Sequence, residues 1–463
     1  MTTPLQQKVQ DLASEHGVPG VAVGVLHEGK EDYAFHGVTS VENPLEVDEK
    51  TLFQFGSTGK TYTATAILRL VEQGRVSLDA PVRTYVPELR LKDEEVAATV
   101  TVLHLLNHTA GWEGDLLDDT GSGDDALARY VELMAGLTQT SPPGKIVSYN
   151  NASLSLAGRV IEKVTGEVFE TAMRQLVLDP LRLDHTFFFP NEIMTRRFAV
   201  GHTRHEDGRT TVLRPWKMAR SADPAGGMSA NAGDQIAWAR FHLGDGRAPD
   251  GTTLLTASAL RKMQERTASM AGSALGDAVG ITWMLREVEG VKMVSHGGTT
   301  IGQHSEFVMA PERGFAFISM TNCGPNGPEL NHLLHAWVLS EYLGIVEREP
   351  EQLSLPAEQL AEYAGRYETV AAVCDLYPEG GHLVARVEIR PEVAKKLYES
   401  GEEVEEQPPI PLALLEGPDD RFVVPDGPAK GMKGYFTRDR EGRIEGVHLG
   451  GRLATRVASP EPG

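Results

Sequence analysis

The chain has 463 residues, too many for one ordinary core, so at least two domains are expected. Its 44 basic and 65 acidic residues leave a formal net charge of −21, a surface that repels nucleic-acid backbones and anionic membranes. No run is long and apolar enough to span a bilayer, the start Met1–Gln7 lacks a signal-like pattern, and Cys323 and Cys374 make no disulfide framework, so a cytoplasmic protein with reduced thiols is expected.

Along the chain, residues 5–16 read as a helix ending at Gly17, followed by strands over 20–26 and 31–38 joined by a short turn. The apolar run 51–55 precedes a helix in which Ala64, Ile67, Leu68 and Val71 share a face and Gly74 is the stop. Residues 75–240 are helical and loop-rich, and Ala157, Val160, Ile161 and Val164 repeat the helical spacing before Gly166. Strands return after 278, and a helix over 329–344 closes the unit. The fold class expected is α/β (α+β): an antiparallel sheet flanked by helices, with a helical insert, over residues 1–345. Residues 346–358 read as a charged, proline-bearing linker, and 359–463 as short strands of a small antiparallel β-barrel.

The run Gly56-Ser57-Thr58-Gly59-Lys60-Thr61 poses one question: phosphate loop or nucleophile. A phosphate loop needs glycine at position 54, which is Gln, and parallel βαβ units downstream. The other reading is Ser-x-x-Lys, with Lys60 one helical turn after Ser57, where an amine can take the hydroxyl proton. Tyr149-Asn150-Asn151 stands directly before a helix; a phenol there can exchange protons if cations steady its anion, and Asn151 can orient Lys60 and a substrate amide. His296-Gly297-Gly298 follows a strand, and the glycines let a substrate backbone come close. His-x-Gly also occurs at His27, His242 and His448, where turns and a helix end account for it.

In this order and at these separations the three elements resemble the serine β-lactamase and penicillin-recognising superfamily, in its class C-like branch of carboxylesterases and D-aminopeptidases. "LLNHTAGW" (105–112), "PGKIVSYNN" (143–151) and "DPAGGMSAN" (223–231) are similar to further segments of that family, and the tail, from "YAGRYE" (363–368), to its lipocalin-like barrel. The resemblance implies that Ser57 is acylated, that Lys60 and Tyr149 shuttle its proton, that Asn151 positions substrate and Lys60, and that the N–H groups of Ser57 and Thr299 form the oxyanion hole. His296 takes the place of the lysine in the family's Lys-Thr-Gly, and Gly297 that of its threonine, so carboxylate binding is expected to be weak. No cofactor or metal is implied.

The expected activity is serine hydrolysis of esters or peptides, D-residues among them, on a small-molecule or peptide substrate. Three alternatives stand beside it: a peptide transpeptidase or cyclase with an amine acceptor, a weak class C-like β-lactamase, and a ligand-binding protein with an inert hydrolase domain. The region after 350 is expected to gate substrates without taking part in the chemistry, and Arg452 to be a solvated surface residue. The sequence does not specify an oligomeric state.

Overall fold

The computed structural model describes residues 2–348, 351–399, 408–417, 419–427 and 429–457; Glu349 and Pro350 of the expected linker, and the tail after Val457, lie outside the described residues. Helix α1 (Pro4–His16) ends at Gly17, whose φ of 63° is the left-handed cap that glycine tolerates. It leads into the hairpin β1 (Gly20–His27) and β2 (Lys30–Gly37). In the middle of the chain lie the longer helices α2 (Gly59–Glu72), α3 (Asn151–Thr165) and α4 (Ala232–Leu243). Strands β3 (Ala268–Ser273), β4 (Gly276–Val279), β5 (Met284–Val288), β6 (Val291–Ser295), β7 (His304–Ala310) and β8 (Phe315–Thr321) then return to the sheet, and α5 (Asn326–Val338) follows.

The sheet runs β2-β1-β8-β7-β6-β5-β4-β3, antiparallel throughout, with both ends of the first 345 residues contributing strands. Strand β1 is buried on both faces, which is why it reads as a continuous apolar run. Val21, Val23 and Val25 meet Leu5, Val9, Leu330 and Leu334 of α1 and α5, whereas Ala22 and Leu26 join the larger core with Ile67 of α2, Val160 of α3 and Ile236 of α4. Gly24 lies under α4, where a Cβ would come within 2.8 Å of Ile236.

The chain does not run straight through 279–288: β4 ends at Val279 and β5 starts at Met284. Thr282 takes φ 62°, its N–H donates to Leu106 O, and this turn docks the sheet on the helical insert.

The tail forms a closed antiparallel barrel of eight strands: β9 (Gly365–Glu368), β10 (Ala372–Glu379), β11 (His382–Ile389), β12 (Ile410–Leu414), β13 (Arg421–Val423), β14 (Lys433–Arg438), β15 (Ile444–Leu449) and β16 (Arg452–Val457), with β16 pairing back on β9. Tyr367, Leu383, Phe422, Phe436 and Val447 fill it. Strand β12 and the helix Pro391–Glu399 escaped the pattern reading, and 446–457 is a hairpin turning at Gly450-Gly451, φ 57° and 82°. Among the described residues no helix is long and apolar enough to cross a membrane.

Candidate active site

Ser57 sits in a single 3₁₀ turn, Gly56–Thr58, that runs into α2. Two glycines let the sheet meet this turn. Gly56 has φ 54° and its Cα faces Thr299, where a Cβ would lie 2.7 Å from the Thr299 nitrogen. A Cβ on Gly298 would lie 2.0 Å from Phe55 O and 2.8 Å from Ser57 N. The short strand Gly298–Thr299, paired with β7, therefore runs edge-on past the Ser57 backbone. Ser305 Oγ donates to Phe55 O at 2.7 Å and Thr58 Oγ1 to His296 O at 2.9 Å, so turn and sheet are tied together. Gly298 thus serves the protein's own packing, not the approach of a substrate backbone; Gly297 is exposed, and a Cβ there would have Ser305 O at 3.4 Å as its nearest neighbour.

Lys60 is completely buried. Its Nζ lies 3.0 Å from Ser57 Oγ and 2.6 Å from Ala225 O, and 4.9 Å from the centre of the Tyr149 ring. Burial, helped by the Arg452 charge and only partly opposed by Asp115, holds its pKa well below the usual lysine value. Burial therefore favours the neutral amine, the form that can take a hydroxyl proton; in the structure Nζ donates to Ala225 O and to Ser57 Oγ. The amine is thus placed against the Ser57 hydroxyl and Ala225 O rather than extended towards a phosphate.

Tyr149 stands over this pair. His108 stacks on its ring at 4.5 Å, and Arg452 Cζ lies 5.3 Å from the ring centre. Burial raises the phenol well above its ordinary pKa and outweighs the lowering by Ser57 and Arg452. The phenol therefore holds its proton in this setting, and the nearby cation does not offset burial enough to favour its anion. Ser57 is near enough to pull on it, yet the geometry falls short of a hydrogen bond, and the Tyr149 oxygen is buried without a partner.

Asn150 caps α3 by accepting from Ser153 N, and its own N–H donates to His108 Nδ1 at 3.1 Å. Asn151 departs from its expected role: its amide donates to Asp115 Oδ1 at 2.8 Å and not to Lys60. His296 donates from Nδ1 to Gly297 O at 2.6 Å, which leaves Nε2 as a buried, unpartnered acceptor, with the ring 6.1 Å from Tyr149. Burial and the neighbouring Lys60 bring its pKa down to about 3, so the imidazole is neutral.

The barrel, expected to gate substrates without taking part in the chemistry, packs directly on the loop that presents Tyr149. The Tyr149 N–H donates to Gly451 O at 2.9 Å, Leu453 N–H donates to Ser148 Oγ at 3.2 Å, and His448 Nε2 donates to Val147 O at 3.1 Å. His448, read as a turn residue, is fully buried. Arg452, expected in solvent, grips Asp115 with Nε at 2.5 Å and Nη2 at 3.0 Å. A cavity of about 740 Å³ opens beside these groups, lined by Trp112, Asp115 and Tyr149 on one side and Thr369, Arg390 and Arg452 of the tail on the other. A smaller apolar cavity of about 260 Å³, between Phe198 and Trp216, shares none of these residues. Ser57, Lys60, Tyr149, His296 and Thr299 thus converge as the motifs suggested. Asp115 and the barrel contacts carried no local sequence signal, whereas Ala225 lies in the 223–231 segment.

The family model described as Beta-lactamase matches residues 5–339. Penicillin-binding protein 4 of Amycolatopsis lactamdurans is 35% identical over 370 residues, 78% of this chain and 96% of that protein. A crystal structure of SurE with D-Leu superposes with a TM-score of 0.76 at 25% identity, covering 98% of each chain. A class C beta-lactamase from Rhodobacter sphaeroides superposes with a TM-score of 0.59 at 23% identity, over 72% of this chain and 99% of that one.

Proposed function

The chain belongs to the beta-lactamase family of serine hydrolases, and on that premise we propose that it cleaves ester and peptide substrates through an acyl-Ser57 intermediate. The observation that carries this reading is the completely buried Lys60 amine 3.0 Å from Ser57 Oγ, its pKa held well below the usual lysine value. Lys60 takes the hydroxyl proton as Oγ bonds to the acyl carbon. The electron pair moved onto the carbonyl oxygen is met by the N–H groups of Ser57 and Thr299, brought together by Gly56 and Gly298. Collapse expels the leaving group, which collects a proton from Lys60 by way of the Tyr149 hydroxyl. A water then repeats these steps in reverse sense, with the proton returning through the same pair. His296 Nε2 can accept only from a donor: the Tyr149 hydroxyl or a substrate N–H.

The cavity of about 740 Å³ favours an acyl donor larger than a simple ester. The similarity to a SurE structure that holds D-Leu supports a D-residue beside the scissile bond. The relative named for penicillin binding raises the question of β-lactams. With a neutral imidazole at 296 and a bare glycine at 297, penicillin acylation is expected to be slow.

A fluorophosphonate probe tests the reading. Intact-mass and peptide mapping should place one adduct on Ser57, and Ser57→Ala should abolish p-nitrophenyl ester turnover. Labelling at another residue, or full turnover by the variant, would refute it. Matched D- and L-aminoacyl p-nitroanilides, with and without an added amine, then distinguish chirality and acceptor.

A further inference from the structure

Few charges stand close to the nucleophile. Burial disfavours the charged forms of Lys60, His108 and His296, each held below its ordinary pKa. Arg452 keeps its positive charge and Asp115 its negative one, so the two cancel. The Asp115 carboxylate accepts from Arg452 Nε and Nη2 at 2.5 and 3.0 Å and from Asn151 Nδ2 at 2.8 Å. It therefore occupies the guanidinium fork of Arg452, which lines the cavity beside Tyr149, and the Asn151 amide.

Nor is Asp115 free to swing away. Gly114 O accepts from the N–H groups of both Asn151 and Ala152, and a Cβ on Gly114 would lie 2.5 Å from Tyr149 O. Glu113 N–H donates to Thr138 O, so the loop is pinned on its other side too. Its carboxylate is built into the wall, with a side-chain exposure of 20%. On the outer wall Arg390 is already paired with Glu368 at 2.6 Å.

We propose that Asp115 sets the charge class of the acyl donor: it fills the anion-binding position formed by Arg452 and Asn151, and so selects neutral acyl donors over anionic ones. This rests on the reading of Ser57 as the acylated nucleophile. Asp115 is a specificity determinant here, acting through Arg452 and not on the reacting atoms.

The test is a charge-selectivity ratio: the acylation rate with benzylpenicillin, an anion, over that with a neutral p-nitrophenyl ester. Asp115→Asn keeps the side-chain size and leaves Arg452 unneutralised. The ratio should rise roughly tenfold to a hundredfold, the worth of one charge-assisted hydrogen bond. The gain should vanish in Asp115→Asn combined with Arg452→Gln. Arg452→Gln alone leaves Asp115 uncompensated, so the ratio should fall and an ester with a cationic acyl group should gain. An unchanged ratio in an Asp115→Asn protein that still takes the fluorophosphonate label overturns the proposal, as does a higher ratio in Arg452→Gln. If neither the fluorophosphonate nor the ester acylates Ser57 in the unaltered protein, the hydrolase reading itself fails, and that outcome is distinct from an unchanged ratio.

Discussion

The Tyr149 N–H donates to the Gly451 carbonyl at 2.9 Å, so the turn between the last two strands of the barrel holds the backbone of a residue that touches the Lys60 amine. Beside it, His448 and Leu453 secure Val147 and Ser148. The loop that presents Tyr149 is therefore clamped between His108 on the inside and the barrel on the outside.

Removal of the barrel should accordingly damage the chemistry. A chain ending at residue 345 loses the acceptor of the Tyr149 amide and the partner of Asp115. Turnover of even a small p-nitrophenyl ester should fall by at least about tenfold, the order of one hydrogen bond to a positioned group. His448→Ala in the full chain should show the same effect in weaker form. A soluble, folded truncation with undiminished kcat/KM would show that the clamp does not position Tyr149.

The Lys60 amine dictates the pH response. Only its neutral form accepts a proton, and its pKa lies well below the ordinary lysine value. Acylation should rise with pH through that depressed pKa and be level long before pH 10. Arg452→Gln removes a cation that lowers the pKa, so the rising limb should move to higher pH. Lys60→Arg cannot release its proton and should cost about 10²–10⁴ in acylation rate. The check is the pH profile of kcat/KM for all three proteins.

The same burial has a cost in stability. Lys60 holds its proton less tightly in the folded protein than in the unfolded chain, so folding favours proton release and stability rises with pH towards the unfolded pKa. Lys60→Met, of similar length, removes that penalty. Its unfolding midpoint in urea at pH 7 should be higher, by about 1–2 kcal/mol of stability, while ester turnover is lost. A lower midpoint would mean that the Ala225 hydrogen bond outweighs desolvation.

Gly298 and Gly297 should separate sharply. A Cβ at 298 would collide with Phe55 O at 2.0 Å and Ser57 N at 2.8 Å, forcing the strand off the nucleophile turn. Loss of one oxyanion donor costs about 10²–10³ in kcat, and Gly298→Ala should approach that. Gly297→Ala meets nothing closer than 3.4 Å and should cost far less. Equal effects in steady-state kinetics would argue against the Thr299 strand as an oxyanion donor.

His296→Lys with Gly297→Thr introduces a cation and a hydroxyl where neutral, bare groups now stand. Penicillin acylation should improve relative to the neutral ester by roughly ten- to a hundredfold. The gain should be smaller than Asp115→Asn gives if the new ammonium, buried near Lys60, loses its charge as His296 has. Acylation rates from pH 6 to 9 decide it; a protein that already prefers penicillin to the ester would remove His296 as a determinant.

Much of the fold was legible because it is written in local periods. The glycines at 17, 74 and 166 mark helix ends at φ 63°, 71° and 81°, and the alternating strands close both the sheet and the barrel. Strand β12 was missed because its five residues sit beside charged, proline-rich sequence that masks a short run. Ser57 and Lys60 could be paired from sequence because one helical turn brings i and i+3 together whatever the surroundings. That local rule makes them candidates for a nucleophile and its base, but it does not lower the pKa of the amine. Its depressed pKa comes from burial, with the Tyr149 ring over the amine and Ala225 O against it, both far away in the chain. Asp115 and Arg452 are separated by 337 residues and meet only because the barrel docks on the Tyr149 loop. Residue spacing determines which side chains one element can present together; the charge those side chains carry, and the partners they face, are decided by desolvation and long-range packing, which exist only once the chain has folded.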